Sequence, residues 1–117
     1  MEVSLLIGKT LSSAKMNEDK DEIIFTTTEG ENYKMYHSQD CCESVLVEDI
    51  AGDLSNLIDT PILVANEISN TGDAGGYDTC TWTFYNFATI KGYVTIRWYG
   101  TSNGYYSETV DFEKINP

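Results

Sequence analysis

The residues of this chain with the greatest chemical potential gather in Tyr36–Asp53. The stretch holds the only histidine, His37, two of the three cysteines, Cys41 and Cys42, and the acids Asp40, Glu43, Glu48, Asp49 and Asp53. His37, Asp40, Cys41, Cys42 and Glu43 place nitrogen, sulfur and oxygen donors within seven residues, a set that zinc accepts. Structural zinc sites, however, use paired spacings such as Cys-x-x-Cys with a second pair. Adjacent cysteines in extended chain also point to opposite faces, which works against their serving one ion. His37, Cys41 and Cys42 are therefore weak metal candidates, and no cofactor is expected. The packing alternative has one cysteine as a small hydrophobe, the other facing a loop, and His37 capping a strand end.

Catalysis finds little support in the same residues. A Cys–His nucleophile needs a thiol activated by a nearby cation or a helix N-terminus, and the neighbouring acids oppose that. Glu48-Asp49 with Asp53 could suggest paired carboxylates of a hydrolase. A charged strand rim that discourages edge-to-edge aggregation explains them as well. Gly72, Gly75 and Gly76 precede neither a helix nor a Lys-Ser/Thr pair, so they form no phosphate loop. The expectation is a protein that is not an enzyme.

A second group surrounds Arg97: Tyr93, Tyr99, Tyr105 and Tyr106. Exposed tyrosine beside arginine is the composition of binding hot spots, although aromatic cross-strand pairs that stabilise a hairpin use the same residues. The expected partner-contacting residues are Asp40, Glu43, Glu48, Asp49, Asp53, Arg97, Tyr99, Tyr105 and Tyr106.

The elements that position these groups read as β-structure. Glu22–Thr28 alternates, Glu29-Gly30-Glu31 turns, and Asn32–His37 returns, which is a hairpin signature. Val3–Ile7 with Lys9–Leu11 is expected to be strand, and Ser44–Ile50 another. Asp53–Asp59 is the one expected helix, capped by Asp53 and stopped by Pro61, about two turns long and dependent on packing. Ile62–Ile68 is a strand, and Ser69–Asp78 a mobile glycine-rich loop. Thr79–Ile90 is a long aromatic strand expected to be covered on both faces. Tyr93–Tyr99 alternates Val94, Ile96 and Trp98 against the tyrosines and Arg97. Asn103-Gly104 suits a reversal with positive φ, after which Tyr105–Phe112 is expected to come back as a strand. The fold class expected is mainly β (α+β), a single domain over residues 1–117: a curled antiparallel sheet or half-barrel with one short helix.

At 117 residues the chain can bury a core without staples. Its apolar share of 41% is modest, but eight Tyr, four Phe and two Trp compensate through the large area each buries. Nineteen acids against seven bases give a net charge of −12. That field repels nucleic acid and anionic membrane and favours a basic partner surface, so direct nucleic-acid and membrane binding are excluded. The start lacks the basic region of a signal peptide, and no apolar run approaches the ~18 residues of a membrane span. The expected location is the cytoplasm, with reduced thiols.

The run Tyr36-His37-Ser38-Gln39-Asp40-Cys41-Cys42-Glu43, with Glu48-Asp49-Ile50 and Gly52-Asp53-Leu54, resembles an uncharacterised family of small acidic proteins encoded largely by phages. The likeness continues through Pro61-Ile62-Leu63, Trp82-Thr83-Phe84-Tyr85, Gly92–Gly100 and Asn103–Tyr106. It implies a phage origin and thus the host cytoplasm, and it implies no chemistry. Variation within the family is expected at Ser69–Asp78. The function expected is binding and inhibition of a host protein with a basic groove, such as a nucleic-acid-binding defence protein of the CRISPR effector type. The alternatives are a small-molecule- or metal-binding domain, or minor enzyme, centred on Tyr36–Glu43, and a virion or assembly component.

Overall fold

The computed structural model describes residues 2–76 and 78–115. These residues form eight strands, with one 310 turn before the first and another between the fourth and fifth: β1 (Leu11–Met16), β2 (Glu22–Thr27), β3 (Asn32–Tyr36), β4 (Ser44–Ala51), β5 (Val64–Gly75), β6 (Asp78–Thr89), β7 (Gly92–Ser102) and β8 (Asp111–Ile115). They form two four-stranded antiparallel sheets, ordered β1-β2-β3-β8 and β4-β7-β6-β5. The mainly β, antiparallel expectation holds, and the curled sheet resolves into two layers. A helix is not formed at Asp53–Asp59. Leu54–Leu57 is a single 310 turn, with the Asp53 side chain accepting from the Ser55 N–H as a cap should. Val3–Leu6 is a second 310 turn and not strand, and it buries Val3 and Leu6.

Period-two alternation builds the core between the layers. Ile23, Phe25, Tyr33, Met35 and Phe112 of the first sheet meet Val45, Val47, Tyr85, Phe87, Val94, Ile96 and Trp98 of the second. Phe25 bridges the layers, its ring centroid 5.8 Å from Phe87 and 6.2 Å from Phe112. Trp98 is fully buried and donates its indole N–H to the Met35 sulfur at 3.2 Å.

Two segments depart from their sequence expectations. Ser69–Gly75 is not a loop: it continues β5 in unbroken antiparallel register with β6 as far as Asp73, shifting only before Gly75. Gly75 and Gly76, at φ of 105° and 59°, then turn the chain, a conformation that suits residues without a Cβ. Expected variation among relatives at Ser69–Asp78 thus falls on a hairpin arm. The segment after the Asn103-Gly104 turn does not return along β7. Gly104 takes the expected positive φ of 88°, but Tyr105–Val110 is irregular and β8 pairs with β3 in the other sheet. Among the described residues no helix is long and apolar enough to cross a membrane.

Candidate functional site

The Tyr36–Glu43 loop is organised by a carboxylate inside the protein. The Glu43 side chain has no exposed surface and that of His37 is 3% exposed. Glu43 accepts from the His37 Nε2 at 2.8 Å, the Asp40 N–H at 3.0 Å, the Cys41 N–H at 2.9 Å and the Gln39 amide at 3.2 Å. Burial pushes its carboxyl up. The hydrogen bond from His37 and those from backbone N–H groups outweigh that and hold it at about 2. His37 Nδ1 lies 2.6 Å from the Thr109 carbonyl, so the ring ties the β3–β4 loop to the β7–β8 loop. Each ring nitrogen thus faces an acceptor oxygen of the protein, the Thr109 carbonyl on one side and the Glu43 carboxylate on the other. Neither nitrogen is then free to ligate a metal or take a proton from a substrate.

This geometry corrects two expectations. Glu43 is not a surface acid that a partner can touch, because its acceptor capacity is spent inside the loop. Cys41 and Cys42 are joined in a disulfide between neighbours and are not separate thiols; both residues are exposed, and Cys80 is the buried free cysteine.

A second internal carboxylate escaped the sequence reading. Glu108, also buried, accepts from the hydroxyls of Thr79 at 2.6 Å, Thr81 at 2.7 Å and Ser102. Burial raises its carboxyl, and the three hydroxyls reverse this to a net lowering. It fastens the β7–β8 loop across the ends of β6 and β7. The only available signal was indirect: Thr79, Thr81 and Ser102 are small hydroxyl residues at strand positions facing inward, and they need an acceptor.

The aromatic group lies elsewhere, on the outer face of the second sheet. Trp82 pairs with Tyr99, Phe84 with Arg97 and Leu46 with Tyr99 in register, so one face carries them side by side. The Trp82 and Tyr99 ring centroids are 5.2 Å apart. Arg97 Nε sits 2.8 Å from Glu48 Oε1 across the same face. Ile68 extends the row onto β5 opposite Phe84. The two 310 turns send Leu6 and Leu57 into the core, not over this face. Contrary to expectation β6 is therefore covered on one side only: Tyr85 and Phe87 are buried, while Trp82 and Phe84 are part-exposed.

Of the remaining expected contact residues, Asp40, Asp49 and Asp53 are exposed, and Asp53 is engaged as the cap of the 310 turn. Asp49 stands opposite Arg97 after a bulge in β4. Tyr105 is 83% exposed and packs edge-on against Tyr106, in the irregular loop and not on a hairpin strand. The structure thus gathers Glu48, Asp49, Arg97 and Tyr99 around one face and sets Tyr105 and Tyr106 apart in a loop.

The arrangement defines a two-layer antiparallel β-protein with internally latched loops and one open aromatic sheet face. The chain belongs to the family described as a domain of unknown function (DUF7448), whose profile matches residues 4–112. No curated protein and no solved structure matches the chain.

Proposed function

We propose that this protein works by binding another protein, without catalysis, and that its partner is a phage host's nucleic-acid-binding defence protein whose basic groove it occupies. The observation that carries the reading is the outer face of the second sheet. Trp82, Phe84, Arg97 and Tyr99 stand there beside Leu46 and Ile68, which are 42% and 54% exposed. Contiguous aromatic surface around an arginine is the composition of a hot spot, and rim acids steer a basic partner towards it. The net charge of −12 supplies the long-range part of that attraction.

The test is quantitative capture from host lysate by three forms of the full chain: wild type, Trp82→Ser with Tyr99→Thr, and a control with Lys15→Glu on the first sheet. A basic partner held by wild type and the control, and lost by the double variant, is the expected result. Equal retention by all three overturns the face as the binding surface. Displacement of nucleic acid from the captured partner tests the inhibitory step, and a partner that keeps its nucleic acid removes the defence-protein reading.

A further inference from the structure

Each sheet has two outer edges, and three of the four are blunted in the ways that keep strands from recruiting others. β4 carries a bulge after Val47, and its Val47 N–H is taken by the Lys20 carbonyl of the β1–β2 turn. β1 is also bulged, and the chain around Ile58–Pro61 bridges to its start. β8 is only five residues long. β5 is the exception: twelve residues, hydrogen-bonded to β6 on one side, with Glu67 and Asp73 as its only charged residues and no proline or lysine. The first 310 turn packs beside it at Ala65–Glu67, and Ile68–Thr71 beyond is exposed.

We propose that the free edge of β5 accepts an extended, lysine- or arginine-bearing segment of a partner protein as a fifth strand of the second sheet. The proposal rests on the reading of the chain as a protein-binding module and specifies the element that the partner contributes. An edge strand directs alternate backbone N–H and C=O groups outward, and an added strand satisfies them while side-chain recognition sets the sequence. The charge of the occupant follows from the flanks of β5. A cleft of about 300 Å³ between β5 and the first 310 turn includes Glu2 and Glu67 in its walls. A groove of about 480 Å³ towards β8 includes Glu67, Asp111 and Glu113. No lysine or arginine lines either. A second copy fits poorly: antiparallel self-pairing centred on Asn70 sets Glu67 opposite Asp73 and brings two chains of charge −12 together. A basic strand reverses both terms. Its side chains on one face would also lengthen the row that Ile68, Phe84 and Arg97 begin.

The probe is a fluorescent peptide of about nine residues alternating Lys with Thr or Val, long enough to cover Ile68–Asp73 and overhang it at both ends. Two control peptides carry methyl groups on alternate backbone nitrogens, or Glu in place of Lys. With the full chain, binding measured by anisotropy is expected to weaken by about tenfold or more on methylation, because the ladder donors are gone, and to vanish for the Glu peptide. Glu67→Lys should weaken it severalfold. Peptide should slow hydrogen exchange at Ile68–Asp73 and leave β4 unchanged. Equal binding of the methylated peptide would mean charge adhesion alone and overturns the proposal, as does an absence of peptide binding or of protection in β5. A dimer with β5 protected before peptide is added assigns the edge to a second copy and also overturns it. If the peptide fails while the Trp82/Tyr99 variant still loses its captured partner, strand addition falls and the protein-binding reading stands.

Discussion

The two sheets share one core and differ in what they show to solvent. On the first sheet the outward side chains answer one another. Lys34 reaches Glu22 at 3.1 Å and lies 4.4 Å from the Tyr36 ring centroid, while the Tyr36 hydroxyl donates to Glu113. Lys9 and then Lys114 hydrogen-bond Glu31 and hold its carboxyl at about 2. On the second sheet the strands are longer and the outward row begins with Leu46, Tyr99, Trp82 and Phe84; among the described residues, polar pairing there is confined to Arg97 with Glu48 and, further along, Asn86 with Asn66 and Thr95. Polar cross-strand pairs satisfy a surface at little net gain in stability, whereas exposed aromatic surface is left unfinished without a partner. The proposed recognition surface falls on the second sheet, with the first as its backing.

That contrast can be broken at several levels. The largest effect is expected in the shared core: Trp98→Ala should cost about 3–5 kcal/mol, and denaturant titration should show both sheets failing together. Separate transitions would show that the layers are independent. Next, Glu43→Gln should lower Tm by several degrees, because it weakens an acceptor that serves His37 and two backbone N–H groups. An unchanged melt would make the loop latch dispensable.

Acid should reveal the same latch. The carboxyls of Glu31 and Glu43 are held at about 2 in the fold, below the ordinary 4.5. Their stabilisation is complete above about 4.5 and is lost as pH falls towards about 2. Melts from pH 7 to pH 2 should steepen in that window and be flatter in Glu43→Gln. On the open face, Tyr99→Thr removes the tilted ring contact with Trp82 and should cost about 1 kcal/mol or less in stability, while speeding partner dissociation measured by biolayer interferometry. A loss as large as that of a core residue would reclassify the face as structural. Smallest for the fold is Glu48→Lys with Asp49→Lys, expected within about 0.5 kcal/mol of wild type while slowing association and flattening its salt dependence. Association unchanged in a folded variant would remove the acidic rim from the binding reaction.

Alternation carried most of the strands. Ile23 and Phe25 against Ile24, and Val94, Ile96 and Trp98 against Tyr93 and Arg97, sort to the faces that their parity indicates. What stayed illegible depended on distant partners. Ser69–Gly75 has loop composition and becomes strand because β6 offers it a complete ladder, a tertiary effect that propensity does not contain. β8 reads as the return of a hairpin with β7, yet its partner β3 lies far back in the chain. Glu43 has the sequence context of a surface acid, and only the convergence of His37, Gln39 and backbone N–H groups explains its burial. Trp82 and Phe84 look like core because of their size, yet they stay part-exposed on the outer face of the sheet.

The route of the chain between the layers has a consequence for the order in which the molecule assembles. β1–β3 and β5–β7 are consecutive hairpins that close short loops. β4 must wait for β7, and β3 for β8, whose residues Asp111 and Phe112 meet Tyr36 and Met35. Closing such long loops costs entropy before contacts repay it, which places folding in the ~ms–s range typical of non-local β-proteins. On the ribosome the first sheet would lack its fourth strand until β8 itself has emerged. Pulse-labelled hydrogen exchange should find the β5–β7 amides protected early and those of β8 last, and early protection of β8 would refute that sequence of events.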